Sequence, residues 1–383
     1  MDSQVRALKR HQTSSYQSIA RNIEEGERIR QTGTFSLLDG ALPVSLQELF
    51  DRHPVDDNDI VLIGGSLIEG IGNVLSDLDV IVISERPLER HRLNESEFGC
   101  VGDENEKQIP DNQSTVKFLF SYFQNKKTAI DFRYYLPSEI DSLITRANNE
   151  IQNIWEHTKT RLGIFDFDDC RLIHRLFSAL PVQNGARFAA TISALNLAEY
   201  CFYLYRSGRV ADASDIKDVV GSWKHRQKSL TAFRIRDMLE EHAQALTHLH
   251  LSTSHARKWL PETLTALAKS GSAACGLAGS LLYDVSRHFR NSDQYIHEAC
   301  EALDLIFDEG RSLLDETPKF MDCTTGQKLL LQEYNARVMT NPTIDMVYAF
   351  KMKQFCENSP RTIDFLKSPD EVGKLFNKTI AQE

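Results

Sequence analysis

The sequence has no excess of positive charge. Its 383 residues include 44 lysines and arginines against 54 aspartates and glutamates, which gives a net charge of −10. Because proteins hold the phosphates of nucleic acids with basic surfaces, a long nucleic acid is not expected as the main partner. The charge still permits a mononucleotide that arrives with metal ions.

Long hydrophobic runs are also missing. No uninterrupted apolar stretch approaches the roughly 20 residues that cross a bilayer. The first six residues contain no apolar signal region. We therefore expect a cytoplasmic protein that has no membrane partner.

Cysteine is sparse and is not arranged in metal-binding motifs. The seven cysteines are dispersed without a C-x-x-C pair, so we expect reduced, mostly buried thiols and no structural zinc site. Four histidines cluster instead, at His242, His248, His250 and His255. Because no cysteine or carboxylate completes a recognised ligand spacing, we expect this cluster to lie on a partly exposed helix face rather than around a metal.

Two further absences limit the fold. The glycines do not follow the G-x-G-x-x-G spacing of dinucleotide-binding folds, and no strand–helix–strand unit follows them, which disfavours a Rossmann fold. The sequence has no internal repeat of fixed period. A chain of 383 residues is too long for one small core, so we expect two domains.

The most informative stretch covers residues 60–83. Two apolar runs of strand length, Ile60–Ile63 and Val80–Ile83, flank a glycine-serine turn and the sequence Asp-Leu-Asp. Side chains alternate along a strand, so Asp77 and Asp79 project from the same face. Two carboxylates this close repel each other unless a cation lies between them. Either motif alone is also typical of a tight turn or a cap, but their order and spacing together favour phosphoryl or nucleotidyl transfer.

A third carboxylate occurs further along the chain. Asp131 lies inside an apolar, aromatic run over residues 128–135, where aspartate is disfavoured. This run and residues 116–123 flank a polar tetrad and predict a hairpin. If the Asp131 strand lies beside the Asp79 strand, three carboxylates converge and can hold two divalent cations about 3.5–4 Å apart. Magnesium suits such oxygen ligands, and manganese is possible. Glu139 and Asp141 are the alternatives to Asp131.

With these residues in this order, the sequence resembles the DNA-polymerase-β-like nucleotidyltransferase superfamily. It also fits the pattern of the small-molecule and antibiotic branch, in which Gly-Ser (Gly65-Ser66) is followed by a second glycine (Gly70) and then by Ser-Asp (Ser76-Asp77). The resemblance covers roughly residues 35–136. It implies an α+β fold, with a mixed-sheet nucleotidyltransferase core, a larger all-α domain after it, and an active site in the cleft between them.

The resemblance also implies roles for individual residues. Asp77 and Asp79 would bind both metal ions, and Asp131 would bind the catalytic ion and help to activate the acceptor hydroxyl. Nucleotide-binding contacts are expected from the glycine-serine turn and from the serine before the first aspartate, namely Gly64, Gly65, Ser66 and Ser76.

One position departs from the family pattern. Position 69 is often basic in the smaller members and is Glu69 here, so a phosphate contact from this side chain is not expected. Lysines of the helical domain are the alternative, with Lys258 the first choice and Lys224 and Lys228 next. For each of these lysines, a solvated position on the surface is the more common interpretation.

The activity implied by the resemblance is transfer of a nucleoside monophosphate from a nucleoside triphosphate to an acceptor. We expect AMP to move from ATP to a small molecule, peptide or protein, with release of pyrophosphate. Within the enzyme class, the alternative is a synthase of cyclic or linear oligonucleotide signals. The alternative from another class is a catalytically silent nucleotide-binding or scaffold protein.

The remaining sequence completes the predicted organisation. Residues 1–136 form the catalytic domain, with a helix over 4–31 and a mobile loop, insertion or lid over 86–113. Residues 137–317 form the helical domain, and 318–383 form a C-terminal subdomain or helical cap. After a helix that begins at Pro137, further helices are predicted over 168–180, 186–206, 230–246, 256–268, 273–289, 294–314 and 326–338.

Overall fold

The protein, seen in a computed structural model, divides into two compact units. The first comprises residues up to 147 together with 167–195, and the second comprises 148–166 and 196 onwards. The sequence predicts boundaries after residues 136 and 317, whereas residues 167–195 pack with the first unit. The structure describes residues 18–89, 100–103, 115–123, 128–156, 167–212, 215–284, 291–316, 359–369 and 371–372, and single positions 93, 98, 165, 286, 346, 347, 349, 350 and 353.

A mixed β-sheet lies at the centre of the first unit. Strands β1 (Thr34–Leu37) and β2 (Leu42–Ser45) form a separate hairpin, and the sheet itself consists of β3 (Ile60–Gly64), β4 (Leu78–Ile83), β5 (Leu88–Glu89), β6 (Cys100–Asp103), β7 (Thr115–Tyr122), β8 (Ala129–Tyr135) and β9 (Leu180–Gln183). The strand order is β5-β7-β8-β4-β3-β9, and β6 pairs with β7 outside this path. Strands β4 and β8 run parallel, while the other pairs are antiparallel.

The two central strands explain the apolar runs in the sequence. Every residue of β3 and β4 is buried, because each strand has a neighbour on both edges and packed side chains on both faces. Such strands appear as continuous hydrophobic runs rather than as an alternating pattern. The predicted hairpin is confirmed, since β7 and β8 pair in antiparallel register.

Helices surround this sheet. Those of the first unit are α1 (Ser18–Thr32), α2 (Leu46–Arg52), the short α3 (Ser66–Glu69), the first part of α4 (Pro137–Glu156), α5 (Phe167–Ser178) and α6 (Gly185–Ile192). Helix α1 confirms the later part of the helix predicted over 4–31, whose first residues lie outside the described part of the chain. Helix α4 begins at Pro137, as predicted.

The segment 86–113 is not simply a loop. Within it, β5 and β6 both pair with β7, so the prediction of an unstructured insertion is wrong for these residues. The sequence signal there is weak because the segment is polar and glycine-containing, and pairing with an adjacent long strand outweighs intrinsic propensity. The other residues of this segment lie largely outside the described part of the chain.

Strand β9 is a second feature that the sequence pattern does not predict. Residues 180–183 pair with β3 at the edge of the sheet, where the sequence predicts the end of one helix and the turn before the next. Pro181 is compatible with this position because an edge strand tolerates a missing N–H group. The helix predicted over 186–206 is likewise divided into α6 and a later helix, and Asn196 accepts a 3.0 Å hydrogen bond from the Ala198 N–H at the start of the second.

The second unit is helical in its described residues. Its elements are α7 (Leu197–Asp212), α8 (Ile216–Lys224), α9 (Lys228–Leu249), α10 (Leu260–Lys269), α11 (Ala273–Tyr283), α12 (Ser292–Glu316) and α13 (Thr362–Lys367). Helix α9 packs against α7, α11 and α12, and its last three turns are almost entirely buried. Helix α8 is missing from the sequence prediction, and the helix predicted over 326–338 lies outside the described residues.

Thiol burial agrees with the sequence prediction, whereas histidine exposure does not. Cys170, Cys201, Cys275 and Cys300 are free and buried. His242 and His248 are each only 1% exposed, so the expectation of a partly exposed histidine face is wrong for these two. Among the described helices, none combines the length and the apolar composition that a membrane crossing requires.

Candidate metal centre

The pairing of β4 with β8 brings the predicted carboxylates together. Asp79 lies directly opposite Asp131 in the parallel register, and Asp77 immediately precedes β4. One carboxylate oxygen from each residue lies within 4.8 Å of those from the other two. Residues more than fifty positions apart in the sequence therefore meet at one end of the sheet.

Gly65 is required by this geometry. Its φ angle is +82°, a region that side-chain-bearing residues rarely adopt. A Cβ atom at this position would overlap the Asp79 Oδ2 atom and lie 2.8 Å from its Cγ atom. The glycine therefore leaves the space that the Asp79 carboxylate occupies, while its neighbour Gly64 pairs with Asp79 across β3 and β4.

The two predicted serines have different surroundings. Ser66 begins α3 directly after Gly65 and is half-buried. Ser76 Oγ accepts a 2.9 Å hydrogen bond from the Asn73 N–H, so this hydroxyl closes the turn that leads to Asp77. Ser66 therefore directly follows the glycine that faces the Asp79 carboxylate, whereas the Ser76 hydroxyl stabilises the turn that leads into β4.

Two arginines accompany the buried carboxylates. Arg175 of α5 forms an ion pair with Asp79, and Arg133 of β8 lies 3.3 Å from Asp131 Oδ2. Burial raises the pKa of Asp79 to about 6, Arg175 opposes the rise, and the charges of Asp77 and Asp131 add to it. Burial also raises the pKa of Asp131 against the opposing charges of Arg133 and Arg175.

The cluster fits a divalent cation. Asp131 Oδ1 is buried and has no hydrogen-bond partner in the described part of the protein, which is costly unless a cation or a substrate group compensates it. Three carboxylates that converge from one side supply the hard oxygen ligands that Mg²⁺ and Mn²⁺ prefer. Asp77, Asp79 and Asp131 are therefore the residues that would hold such ions.

The alternatives to Asp131 have other partners. Glu139 lies 2.6 Å from Lys117 Nζ and accepts a 2.6 Å hydrogen bond from the Leu136 N–H, which places it at the start of α4. Asp141 lines a cavity with Ile60 and Ile83. These two isoleucines lie at the opposite ends of β3 and β4 from the carboxylate cluster, so Asp131 is the third member that the structure selects.

Glu69 turns towards α5. Its carboxylate lies 3.2 Å from His174 Nε2 and accepts a 3.4 Å hydrogen bond from Ser178 Oγ. The acidic side chain at position 69 is therefore paired with residues of α5. Glu69 links the short helix after the glycine-serine turn to the helix that carries Arg175.

The predicted lysines belong to the second unit, not to the unit that carries the carboxylates. Lys258 is exposed, and its ammonium lies 4.8 Å from the ring centroid of Trp259. Lys228 is paired with Asp293, and Lys224 is exposed at the end of α8.

The sequence reasoning missed the basic residues of α5. Arg171 and Arg175 are four positions apart and therefore share one helix face. Burial lowers the pKa of Arg171, and the nearby charges of Arg175 and Arg133 lower it further. Three guanidinium groups thus lie close to the acidic cluster. The spacing of the two α5 arginines is visible in the sequence, but only the pairing of β9 with β3 shows that α5 belongs to this unit.

Comparison of the whole sequence with protein-family models and with curated proteins finds no match in either.

Proposed function

We propose that this protein is a metal-dependent nucleotidyltransferase, which moves AMP from ATP to a small-molecule, peptide or protein acceptor. The observation that carries the proposal is the convergence of Asp77, Asp79 and Asp131 within 4.8 Å, next to a turn in which Gly65 leaves room for the Asp79 carboxylate. The nucleotidyltransferase-like sequence pattern supports the same conclusion.

The chemistry follows from the surroundings of Asp131. Its buried, unbonded Oδ1 atom is suited to accept the proton of an acceptor hydroxyl. The acceptor oxygen then forms a bond to the α-phosphorus, and the bond from this phosphorus to pyrophosphate breaks. Divalent ions would supply electrostatic stabilisation of the phosphate oxygens during this exchange. Asp131 passes the proton to solvent afterwards.

The arginines give the site a way to bind a polyphosphate. Arg171, Arg175 and Arg133 place positive charge beside the carboxylates, and guanidinium groups are suited to phosphate oxygens. With divalent ions held by the aspartates, Arg175, which is now paired with Asp79, would be available to bind the triphosphate. We assign to these arginines the role that the sequence pattern gave to Lys258.

The test combines metal binding with nucleotide turnover. The purified protein is incubated with each α-labelled nucleoside triphosphate, Mg²⁺ and candidate acceptors, and mass spectrometry identifies adducts and pyrophosphate. Mn²⁺ binding is followed by electron paramagnetic resonance, which needs no acceptor. The double variant Asp77→Asn/Asp79→Asn is expected to lose both nucleotide turnover and Mn²⁺ binding. Arg171→Gln is expected to weaken ATP binding at least several-fold, and the control Asp141→Asn is expected to behave as wild type.

The outcomes separate the alternatives. Turnover that persists in the double variant would refute the metal mechanism. Products made from nucleotides alone would identify an oligonucleotide signal synthase. Tight ATP binding without turnover by the wild-type protein would identify a silent nucleotide-binding protein. Mn²⁺ binding that is retained in the double variant would show that Asp77 and Asp79 are not the metal ligands.

A further inference from the structure

A second group of metal-ligating side chains lies in the helical unit. His250 follows the last residue of α9, Cys275 lies in the first turn of α11, and Glu309 lies on α12. One ligand atom from each residue lies within 4.8 Å of the other two. The three helices pack against one another, so the group occupies the point where they meet.

Hydrogen bonds orient two of these side chains. Glu309 Oε1 lies 2.7 Å from His250 Nε2, and Glu309 Oε2 accepts a 3.3 Å hydrogen bond from the Ala274 N–H. The Cys275 N–H donates a 3.0 Å hydrogen bond to Ser272 Oγ at the start of α11. The Ala274 N–H bond is the kind of surrounding contact that positions a metal ligand, whereas the His250–Glu309 contact joins two of the proposed ligands to each other.

The backbone next to His250 is fixed as well. Leu251 has a φ angle of +63° and is buried, although this region disfavours residues that have a side chain. Its N–H bonds the His248 carbonyl at 2.9 Å, and the Ser252 N–H bonds the Thr247 carbonyl at 3.0 Å. This constrained turn ends α9 directly after His250.

We propose that His250, Cys275 and Glu309 form a zinc-binding site. An imidazole nitrogen, a thiolate sulfur and a carboxylate oxygen together match the ligands of zinc more closely than those of magnesium or calcium. Ligands around a tetrahedral zinc ion lie about 3.3–3.8 Å apart, given metal–ligand distances of about 2.0–2.3 Å. The three ligand atoms lie within 4.8 Å of one another, so small side-chain movements would bring them to these distances. The 2.7 Å contact between His250 Nε2 and Glu309 Oε1 would have to open as the ion enters.

The site is accessible from one side. Cys275 is 1% exposed, whereas the side chains of His250 and Glu309 are 20% and 21% exposed. An ion can enter from solvent, and a water molecule would complete the four ligands. Coordination replaces the hydrogen of the Cys275 thiol, so one proton is released to solvent as each ion binds. The bound ion then links α9, α11 and α12.

This site does not depend on the proposed nucleotidyltransferase activity, because it shares no residue with the aspartate cluster. The two sites also differ in ligand chemistry. The aspartates offer only oxygen, while Cys275 offers sulfur. A probe that reports sulfur ligation therefore distinguishes the helical site from the carboxylate site in the full chain.

Cobalt(II) is this probe, since a thiolate bound to Co²⁺ gives an intense near-ultraviolet charge-transfer band. The experiment titrates Co²⁺ into chelator-treated Asp77→Asn/Asp79→Asn protein, which keeps the helical unit unchanged. We expect a charge-transfer band that saturates at one equivalent and disappears when Zn²⁺ is added. Cys275→Ala is expected to abolish the band, and Cys300→Ala, a matched buried cysteine of the same unit, is expected to retain it.

Two further measurements distinguish loss of a metal ligand from misfolding of the variant. Circular dichroism establishes that each variant is folded, and His250→Gln keeps the thiol while removing the nitrogen ligand. We expect His250→Gln to weaken Zn²⁺ binding at least about tenfold. The absence of a charge-transfer band in folded parent protein, or a band of equal intensity in folded Cys275→Ala, would overturn the proposal.

Discussion

At the scale of single residues, the structure explains why the carboxylate cluster is accompanied by arginines. Asp79 is 7% exposed and lies close to two other carboxylates. Its ion pair with Arg175 offsets part of the cost of burying charge, but burial still raises the Asp79 pKa to about 6. A cation that binds here would remove the repulsion between the buried carboxylates, and this relief would contribute to its binding affinity.

The first prediction concerns pH and the stability of metal-free protein. Because the pKa of Asp79 is raised from 3.8 to about 6, the folded state binds this proton more tightly than the unfolded state. The resulting contribution, on the order of 2–3 kcal/mol, is present at low pH and is lost as pH rises through about 6. Urea unfolding between about pH 3.5 and pH 7.5, a range that includes both pKa values, measures it.

The control for this prediction is Asp141, which lies away from the cluster. Asp79→Asn is expected to reduce the fall in unfolding free energy with rising pH, while Asp131 maintains part of it in the same direction. Asp141→Asn is expected to leave the fall unchanged. An identical pH dependence in wild type and Asp79→Asn would contradict the assignment. Mn²⁺ should stabilise the wild-type protein more at pH 7.5 than at pH 5.

The second prediction separates steric overlap from backbone strain. Gly65 and Gly33 both have positive φ angles, +82° and +69°, but a Cβ atom at Gly33 would have no neighbour within 4 Å. Gly65→Ala is expected to displace the Asp79 carboxylate and to weaken Mn²⁺ binding at least tenfold. Gly33→Ala is expected to cost about 1 kcal/mol of stability and to leave Mn²⁺ affinity unchanged. Equal Mn²⁺ affinities for the two variants would refute this account.

At the scale of secondary structure, one short edge strand determines the composition of the site. Strand β9 pairs with β3, and helix α5 immediately precedes it. The pairing holds α5 in the first unit, where Arg175 contacts Asp79 and His174 contacts Glu69. Helix α1 packs on the other side of β9, so the strand lies between a helix that supports it and the sheet that it extends.

The third prediction tests the packing of α1 on β9. A Cβ atom at Gly26 of α1 would overlap the Pro181 carbonyl oxygen and lie 2.7 Å from its carbonyl carbon. Gly26→Ala is therefore expected to destabilise the first unit by about 1–3 kcal/mol. Gly221 of α8 has no atom within 4 Å of the same position, so Gly221→Ala is expected to stabilise its helix by about 0.5–1 kcal/mol.

Denaturant unfolding gives the measurement for this pair of variants. Both changes add one methyl group to a helical glycine, so a difference in sign isolates the contact with β9. If Gly26→Ala does not lower the free energy of unfolding relative to Gly221→Ala, α1 does not pack on β9 as the structure describes.

At the scale of the whole molecule, the chain consists of two compact units with different compositions. The first carries the sheet and the aspartates, and the second carries the buried helix α9. A protein with two such units is not expected to unfold in a single two-state step. A ligand that binds only the folded first unit therefore stabilises that unit selectively.

The fourth prediction follows from this division. At a free Mn²⁺ concentration about 100 times the dissociation constant, binding stabilises the folded unit by about 2.7 kcal/mol. Hydrogen exchange of the β3 and β4 amides is expected to slow when Mn²⁺ is added, with a much smaller change in α9. The Asp77→Asn/Asp79→Asn variant is expected to show no slowing in β3 and β4. Equal slowing in that variant would exclude these aspartates as the ligands.

The central strands, the β7–β8 hairpin and the three carboxylates can be predicted from the sequence alone. These signals are local, because buried strands, turns and an aspartate within an apolar run are visible in a short stretch. By contrast, the folded chain is needed to show that β9 is a strand and that the arginines of α5 lie beside the aspartates. It also brought His250, Cys275 and Glu309 together from three helices. Such contacts arise from pairing and packing between distant segments, which leave no fixed spacing in the sequence.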